Sequence, residues 1–391
     1  MRACLAAAAA AVSLALTGCG AQPEDGSDEA SAENWAAPTY IADGNPPSLG
    51  EWGQVKIEDG ALELGAQVQP YDLNTALFTD YAHKLRTIWM PEGTSARYTS
   101  GEVLDFPVGT VITKTFYYPT NEGGAGEASR ASLLRDPDTD FFGGDRLPLS
   151  NIQLIETRVL VRREAGWEAI PYRWNDEQTR ADLSRIGAII PLELAGADGT
   201  AQPFNYVMPS VNECASCHGT NSNDKAIWPI GPKARHLNRD FAYADGQRNQ
   251  LEQLSNAGFL TGAPDPAQAP QNAAWNDQSA SVTLRARAYL DINCSHCHSP
   301  YGPADTSGLS LEPDASGPSL GTCKVPIAAG AGTGNRRWGI HPGKPDDSIL
   351  IYRMESDEAD KMMPEIGRSL VHSEGIALVR EWVAGLDGGC T

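Results

Sequence analysis

One pattern, cysteine-x-x-cysteine-histidine, occurs twice and restricts this chain more than any other feature: Cys214-Ala215-Ser216-Cys217-His218 and Cys294-Ser295-His296-Cys297-His298. Each copy brings two thiols and an imidazole together within five residues. Two intervening residues let both sulfurs reach the two vinyl groups on one porphyrin edge, and the adjoining histidine then stands beneath the iron. The clusters therefore imply two heme c groups, attached through Cys214 and Cys217 and through Cys294 and Cys297, with His218 and His298 as iron ligands. The competing chemistries are a zinc site made from the two C-x-x-C pairs and thioredoxin-like redox cysteines. Neither needs a histidine directly after both second cysteines.

The amino terminus reads as an address. Arg2 precedes an apolar stretch from Leu5 to Leu16, too short to span a bilayer, which ends at Leu16-Thr17-Gly18-Cys19. This fits a lipoprotein signal peptide over residues 1–18, with Cys19 lipidated after cleavage. The expected location is the cell envelope, facing the periplasm. Gly20, rather than aspartate, after Cys19 favours the outer membrane of a Gram-negative host. Attachment is expected through lipid alone.

Of eight cysteines, Cys4 leaves with the signal, Cys19 takes lipid and four sit in the repeated pattern. Cys323 and Cys390 remain, and in an oxidising compartment they are expected to pair rather than stay as two thiols. The formal net charge is −20, and losing Arg2 makes it −21. That excess argues against nucleic acid and anionic lipid surfaces, which reward basic patches, and favours redox partners with a basic docking face.

Texture divides the rest. Residues 19–48 read as a flexible tether. Residues 49–205 carry short β-type runs broken by glycine and proline, such as Thr110–Tyr118 and Leu154–Val161, and predict an antiparallel β-sandwich or barrel-like domain. Helical patterning then suggests a first heme segment over 206–262, a linker over 263–280 and a second heme domain over 281–391. The expected fold is thus α+β and multidomain: a β-rich domain followed by a mainly α-helical, class I cytochrome c-type region. A closing helix is predicted near Ser373, with Ile376, Val379, Val383 and Leu386 on one stripe.

The sixth iron ligand decides what each heme does. For the second heme, Met363 is the expected thioether, because Pro364 rigidifies the loop beside it; Met362 is the alternative. No methionine lies between Cys217 and Cys294, so the first heme is left with His236, Met208, Met90, His83 or an open position. Arg285, Arg287 and Arg353 are candidate partners for heme propionates. His296, inside the second pattern, is expected to face outward. Gly317-Pro318-Ser319-Leu320-Gly321 matches a hydrolase elbow but sits in a Gly/Pro-rich loop, and Asp136–Asp140 begins like a calcium loop without its glycine or glutamate.

On Tyr71–Tyr81, Phe106–Thr110, Arg285–Asn293 and Met362–Arg368 the chain resembles a family of bacterial exported diheme c-type cytochromes, lipoproteins of unassigned role often encoded beside a parallel β-helix lipoprotein. The resemblance spans nearly all of the mature chain. It implies electron transfer through two covalent hemes, and the β-helix lipoprotein as a candidate partner. No catalytic residue is assigned, since the chain offers no convincing nucleophile or acid/base pair. The alternative is a diheme redox enzyme, peroxide-reducing or substrate-oxidising, with an open site at the first heme. A further reading makes Trp89, Tyr117, Tyr118, Trp167 and Trp174 of the β-rich domain a glycan or partner site.

Overall fold

Alternating β-branched and aromatic residues build the centre of the molecule. In the computed structural model, which describes residues 35–121, 126–135, 141–196, 200–220, 226–327 and 329–391, six strands follow one another across a single antiparallel sheet. They are β1 (Gln69–Tyr71), β2 (His83–Trp89), β3 (Val111–Pro119), β4 (Ile152–Arg163), β5 (Gly166–Trp174) and β6 (Ala181–Leu183). Residues 1–18, Cys19, the tether as far as residue 34 and Asp136–Asp140 lie outside the described residues.

Strand periodicity gives the sheet two different faces. Leu85, Trp89, Val111, Val159, Val161, Ile170 and Tyr172 pack on one side with Trp52, whose indole N–H donates to the Tyr172 hydroxyl at 2.8 Å. Full burial of each such aliphatic or aromatic side chain stabilises by roughly 1.5–3 kcal/mol. The opposite face carries Ile88 and Ile112, which join Leu251, Leu254 and Ile292 from the second half of the chain in one cluster. Both faces of the sheet are therefore covered.

The expected fold class is corrected by the strand content, 28% against 22% helix. Among the described residues the β-rich part forms no closed barrel, but this six-stranded sheet and smaller ones, including Ala188–Ala195 between Leu133–Leu134 and Ala201–Met208. Nor is the region after Tyr206 mainly helical. Its principal helices are short: α1 (Val211–His218), α2 (Val282–Leu290), α3 (Ile349–Glu355) and α4 (Ser373–Ala384). Strands enter it too, at Asp240–Tyr243 with Gly246–Asn249 and at Leu260–Thr261 beside Ala96–Arg97. The reason is local. Between Pro300 and Pro345 the chain holds Pro303, Pro313, Pro318, Pro326 and Pro342 among many glycines, which break any 3.6-residue repeat before it can propagate.

Contacts do not stop at residue 205. The loop between β1 and β2 reaches into the second half: Phe78 N–H donates to Asn293 Oδ1 at 2.8 Å, and Asp80 Oδ1 accepts from the Ser369 and Leu370 amides at 2.7 Å each. Asp80 and Tyr81 sit at φ of 45° and 62°, which costs energy without a glycine and is held by these contacts. Helix α4 buries Ile376, Val379 and Val383 against α2, while Leu386 falls just beyond its end. Gly375 permits that approach, since a Cβ there would overlap the Tyr289 ring. A disulfide joins Cys323 to Cys390.

Candidate functional site

Helix α1 starts at a capping box, in which Ser210 and Glu213 satisfy each other's backbone amides. It ends at His218, so its single exposed-to-buried turn carries Cys214, Cys217 and the imidazole together. His218 Nδ1 lies 2.7 Å from the Trp228 carbonyl, and Trp228 N–H donates back to the His218 carbonyl at 2.9 Å. The ring is thereby oriented with Nε2 as its uncommitted nitrogen. The second pattern follows α2 through a π-type turn at Asp291–Ser295. There His298 Nδ1 lies 3.2 Å from the Ser307 hydroxyl. Burial pushes both histidines down to about 4, which keeps them neutral, the form that binds metal.

Two adjoining cavities hold these groups. One, of about 280 Å³, is lined by Cys214, Cys217 and His218 and also by Cys294, Cys297 and His298. The other, of about 510 Å³, is lined by Cys294, His298, Met363, Arg353, Arg368 and His372. Phe78, Asn293, Cys294, His298 and Met363 belong to both. The two patterns touch: Cys217 Sγ, a ring nitrogen of His296 and Cys297 Sγ all lie within 4.8 Å of one another. Cys297 Sγ also lies 3.5 Å from the Ser216 carbonyl. None of these four cysteines is in a disulfide. The hydrogen bond between Cys217 and Cys297 pulls Cys217 down, while Cys297, the partner keeping the proton, is pushed up.

His296 corrects its expectation. It lines the first cavity instead of facing outward, and its Nδ1 is buried without a hydrogen-bond partner. The π-type turn before it shifts the helical phase by about a residue, and α1 packs where solvent was expected. Met363 lines both cavities and Met362 neither. The methionine loop is tied to the end of α3: Met363 N–H donates to the Arg353 carbonyl at 2.9 Å, and the buried Arg368 donates to the Ser356 carbonyl at 2.7 Å and to the Met363 carbonyl at 3.2 Å.

None of the four side chains considered for the first iron lines either cavity. His236 is buried with Nε2 3.5 Å from Asp291, and burial takes it down to about 4. His83 stacks on Tyr117 beneath the other face of the sheet, and Met90 and Met208 belong to apolar clusters. Of the three arginines, only Arg353 lines a cavity; Arg285 serves the Trp275 carbonyl and Arg287 the Glu312 and Ala315 carbonyls. Trp89, Tyr117, Tyr118 and Trp174 are buried core residues. Ser319 donates to the Ser316 carbonyl at 2.7 Å and sits on no strand-to-helix elbow.

Three residues escaped the sequence reading: Arg86, Lys114 and Arg158 all line the first cavity. Burial, with Arg158 and Arg86 beside it, pushes Lys114 down to about 7. The signal was a lysine in the middle of an otherwise apolar and threonine-rich strand.

Compared with known proteins, the chain matches no family model, no curated protein and no solved structure. The donor sets therefore speak for themselves. Thiol pairs beside oriented neutral imidazoles at apolar cavities suit a covalently held porphyrin. Cys217, His296 and Cys297 form a compact S₂N set that could also hold a soft metal ion.

Proposed function

We propose that this chain is a diheme c-type cytochrome that transfers electrons in the cell envelope, exported and lipidated at Cys19. One observation carries the reading: both cysteine–histidine patterns face adjoining cavities, each with its histidine oriented through Nδ1 and Nε2 left for iron. Cys214, Cys217 and His218 would hold one heme; Cys294, Cys297, His298 and Met363 the other. When bound, the groups supply one-electron redox chemistry, and a thioether from Met363 would raise the potential of the second. Cys217 and Cys297 set their attachment points side by side, which supports electron passage within the chain. Electrons would then leave to a partner with a basic face, attracted by the net charge of −20.

A second reading is favoured by the placement of His236, His83, Met90 and Met208 away from both cavities. With those ligands elsewhere, the iron of a heme held by Cys214, Cys217 and His218 would be open to substrate, and the chain would be a diheme redox enzyme.

Denaturing the purified, exported protein tests the first proposal. The expected result is a polypeptide that keeps its pigment and exceeds its amino-acid and lipid mass by two hemes. A colourless polypeptide of unmodified mass, releasing a stoichiometric metal ion, would refute it in favour of the Cys217/His296/Cys297 ion site. Carbon monoxide added to the reduced protein separates carrier from enzyme: binding at one iron supports the enzyme, and binding at neither supports the carrier.

A further inference from the structure

Strands β2, β3 and β4 set three cations side by side. Arg86 is directly paired with Lys114, and Lys114 with Arg158, so all three side chains leave one face of the sheet, and all three line the first cavity. Like charges directly opposite one another are destabilising. Open water relieves this cost only in part: the Arg86 side chain is 4% exposed and that of Arg158 20%, while Lys114 is half-buried.

Nearby acids offset only part of the charge. Asp72 pairs with Arg86 and is shared with Arg239 at 2.8 Å. Glu156, fully buried, pairs with Arg158 at 2.5 Å and also accepts the Tyr206 hydroxyl at 2.7 Å. Lys114 is left over: among the described residues no carboxylate pairs with it, and its ammonium lies 5.1 Å from the Phe116 ring centre. Arg158 and Lys84 crowd the same ring at 4.5 and 5.7 Å. The acids on the cavity wall are engaged elsewhere, Glu213 with Ser210 and Glu365 with Arg353. A lysine so placed gives up its proton easily, and an anion meeting it would hold it in the charged form.

We propose that the Arg86–Lys114–Arg158 row is an anion site of the first cavity, built to take a carboxylate or an oxyanion. Glu156 takes Nε and Nη2 of Arg158 and Asp72 takes Nη1 of Arg86, so the remaining guanidinium N–H groups at the two ends and the ammonium between them face the anion. The anion has two possible sources with one chemistry: the propionates of the group held by Cys214 and Cys217, or a diffusible oxyanion entering beside the first iron. Only the first source rests on the diheme reading.

The test uses the full-length exported protein, as wild type, Lys114→Met and Lys114→Arg. If propionates occupy the row, the resonance Raman propionate bending band shifts in Lys114→Met and returns in Lys114→Arg, and the midpoint potential of one heme falls only in the methionine variant. If a diffusible oxyanion does, wild type gives a saturable calorimetric response to sodium sulfate over sodium chloride at matched ionic strength. That response should weaken at least tenfold in Lys114→Met and persist in Lys114→Arg. Both variants carrying pigment, with unchanged Raman bands and potentials and no sulfate binding by wild type, would overturn the site. So would a spin-state change in Lys114→Met without either signal, since it makes Lys114 an iron ligand. Absence of pigment from wild type defeats the diheme reading instead, and leaves the sulfate arm to judge the row. Where Lys114→Met fails to fold, wild-type sulfate binding and the Lys114→Arg variant decide: sulfate binding, or unchanged propionate bands and potential in Lys114→Arg, supports the site, and the absence of both overturns it.

Discussion

At the scale of single residues, two neighbouring methionines have different surroundings. Met363 borders both cavities and its amide is fixed by the Arg353 carbonyl, whereas Met362 borders neither. On the diheme proposal, Met363→Ala should abolish a methionine-to-iron charge-transfer band of the oxidised protein and lower the potential of one heme, while Met362→Ala leaves both unchanged. A band that survives Met363→Ala would remove the methionine from the iron. That each cysteine pair lies beside its histidine at a cavity was legible because the five residues are contiguous. His296 was not, because its direction depends on a π-type turn and on the arrival of α1, neither of which spacing reveals. Arg368 was visible only as part of a resembling segment; its bonds to the Met354, Ser356 and Leu370 carbonyls belong to the folded loop.

At the scale of elements, the turn after α2 is organised by one carboxylate. Asp291 accepts from Arg235 Nε and Nη2 at 2.7 and 3.0 Å, from Asn272 Nδ2 at 2.7 Å and from the Ser295 hydroxyl at 2.9 Å. Burial alone would raise its pKa, but the Arg235 hydrogen bonds, with His236 and Asn272, outweigh burial and hold it at about 2. A carboxylate depressed on folding contributes stability that is present above its ordinary range and lost as pH falls towards the folded value. Asp291→Asn, which strands the Arg235 charge, should cost about 3–5 kcal/mol at neutral pH. The gap between variant and wild type in denaturant melts should narrow between about pH 4 and 2, and a gap independent of pH would contradict the assignment. Helix α4 offers a second check. Glycine in a helix interior is ordinarily worse than alanine by about 1 kcal/mol, so on propensity Gly375→Ala would stabilise. Because the added methyl overlaps the buried Tyr289 ring, whose hydroxyl lies 2.9 Å from His372 Nδ1, the net effect should be a loss of about 1–3 kcal/mol. A raised melting temperature would show that the two helices can part. The stripe of α4 was legible from periodicity; Gly375 as a contact was not, since nothing in sequence pairs it with Tyr289.

At the scale of the whole molecule, the sheet and the cysteine-bearing half are interdependent. Strand-rich texture in residues 49–205 was readable from alternation, but the sheet's second face carries Arg86, Lys114 and Arg158 among apolar residues, and only the fold shows that they meet the other half across a cavity. The mainly helical expectation failed for a related reason: the Gly/Pro-rich stretch from residue 300 to 345 has no repeat of its own and takes its shape from what surrounds it. The disulfide between Cys323 and Cys390, 67 residues apart, ties the middle of that stretch to the C-terminal end, worth about 4 kcal/mol on loop entropy. On the diheme proposal, porphyrins in the two cavities would be a further organising force. Replacing Cys214, Cys217, Cys294 and Cys297 together by alanine removes the covalent hold on any porphyrin and trims little else. The variant should lose its single cooperative unfolding transition, with protease cutting concentrated between residues 296 and 370, while the β1–β6 sheet, which has its own core on the face away from the cavities, keeps its far-ultraviolet signal. Cooperative melting of the quadruple variant at the wild-type temperature would mean that the protein's own side chains close those walls, and that the second half folds without a cofactor.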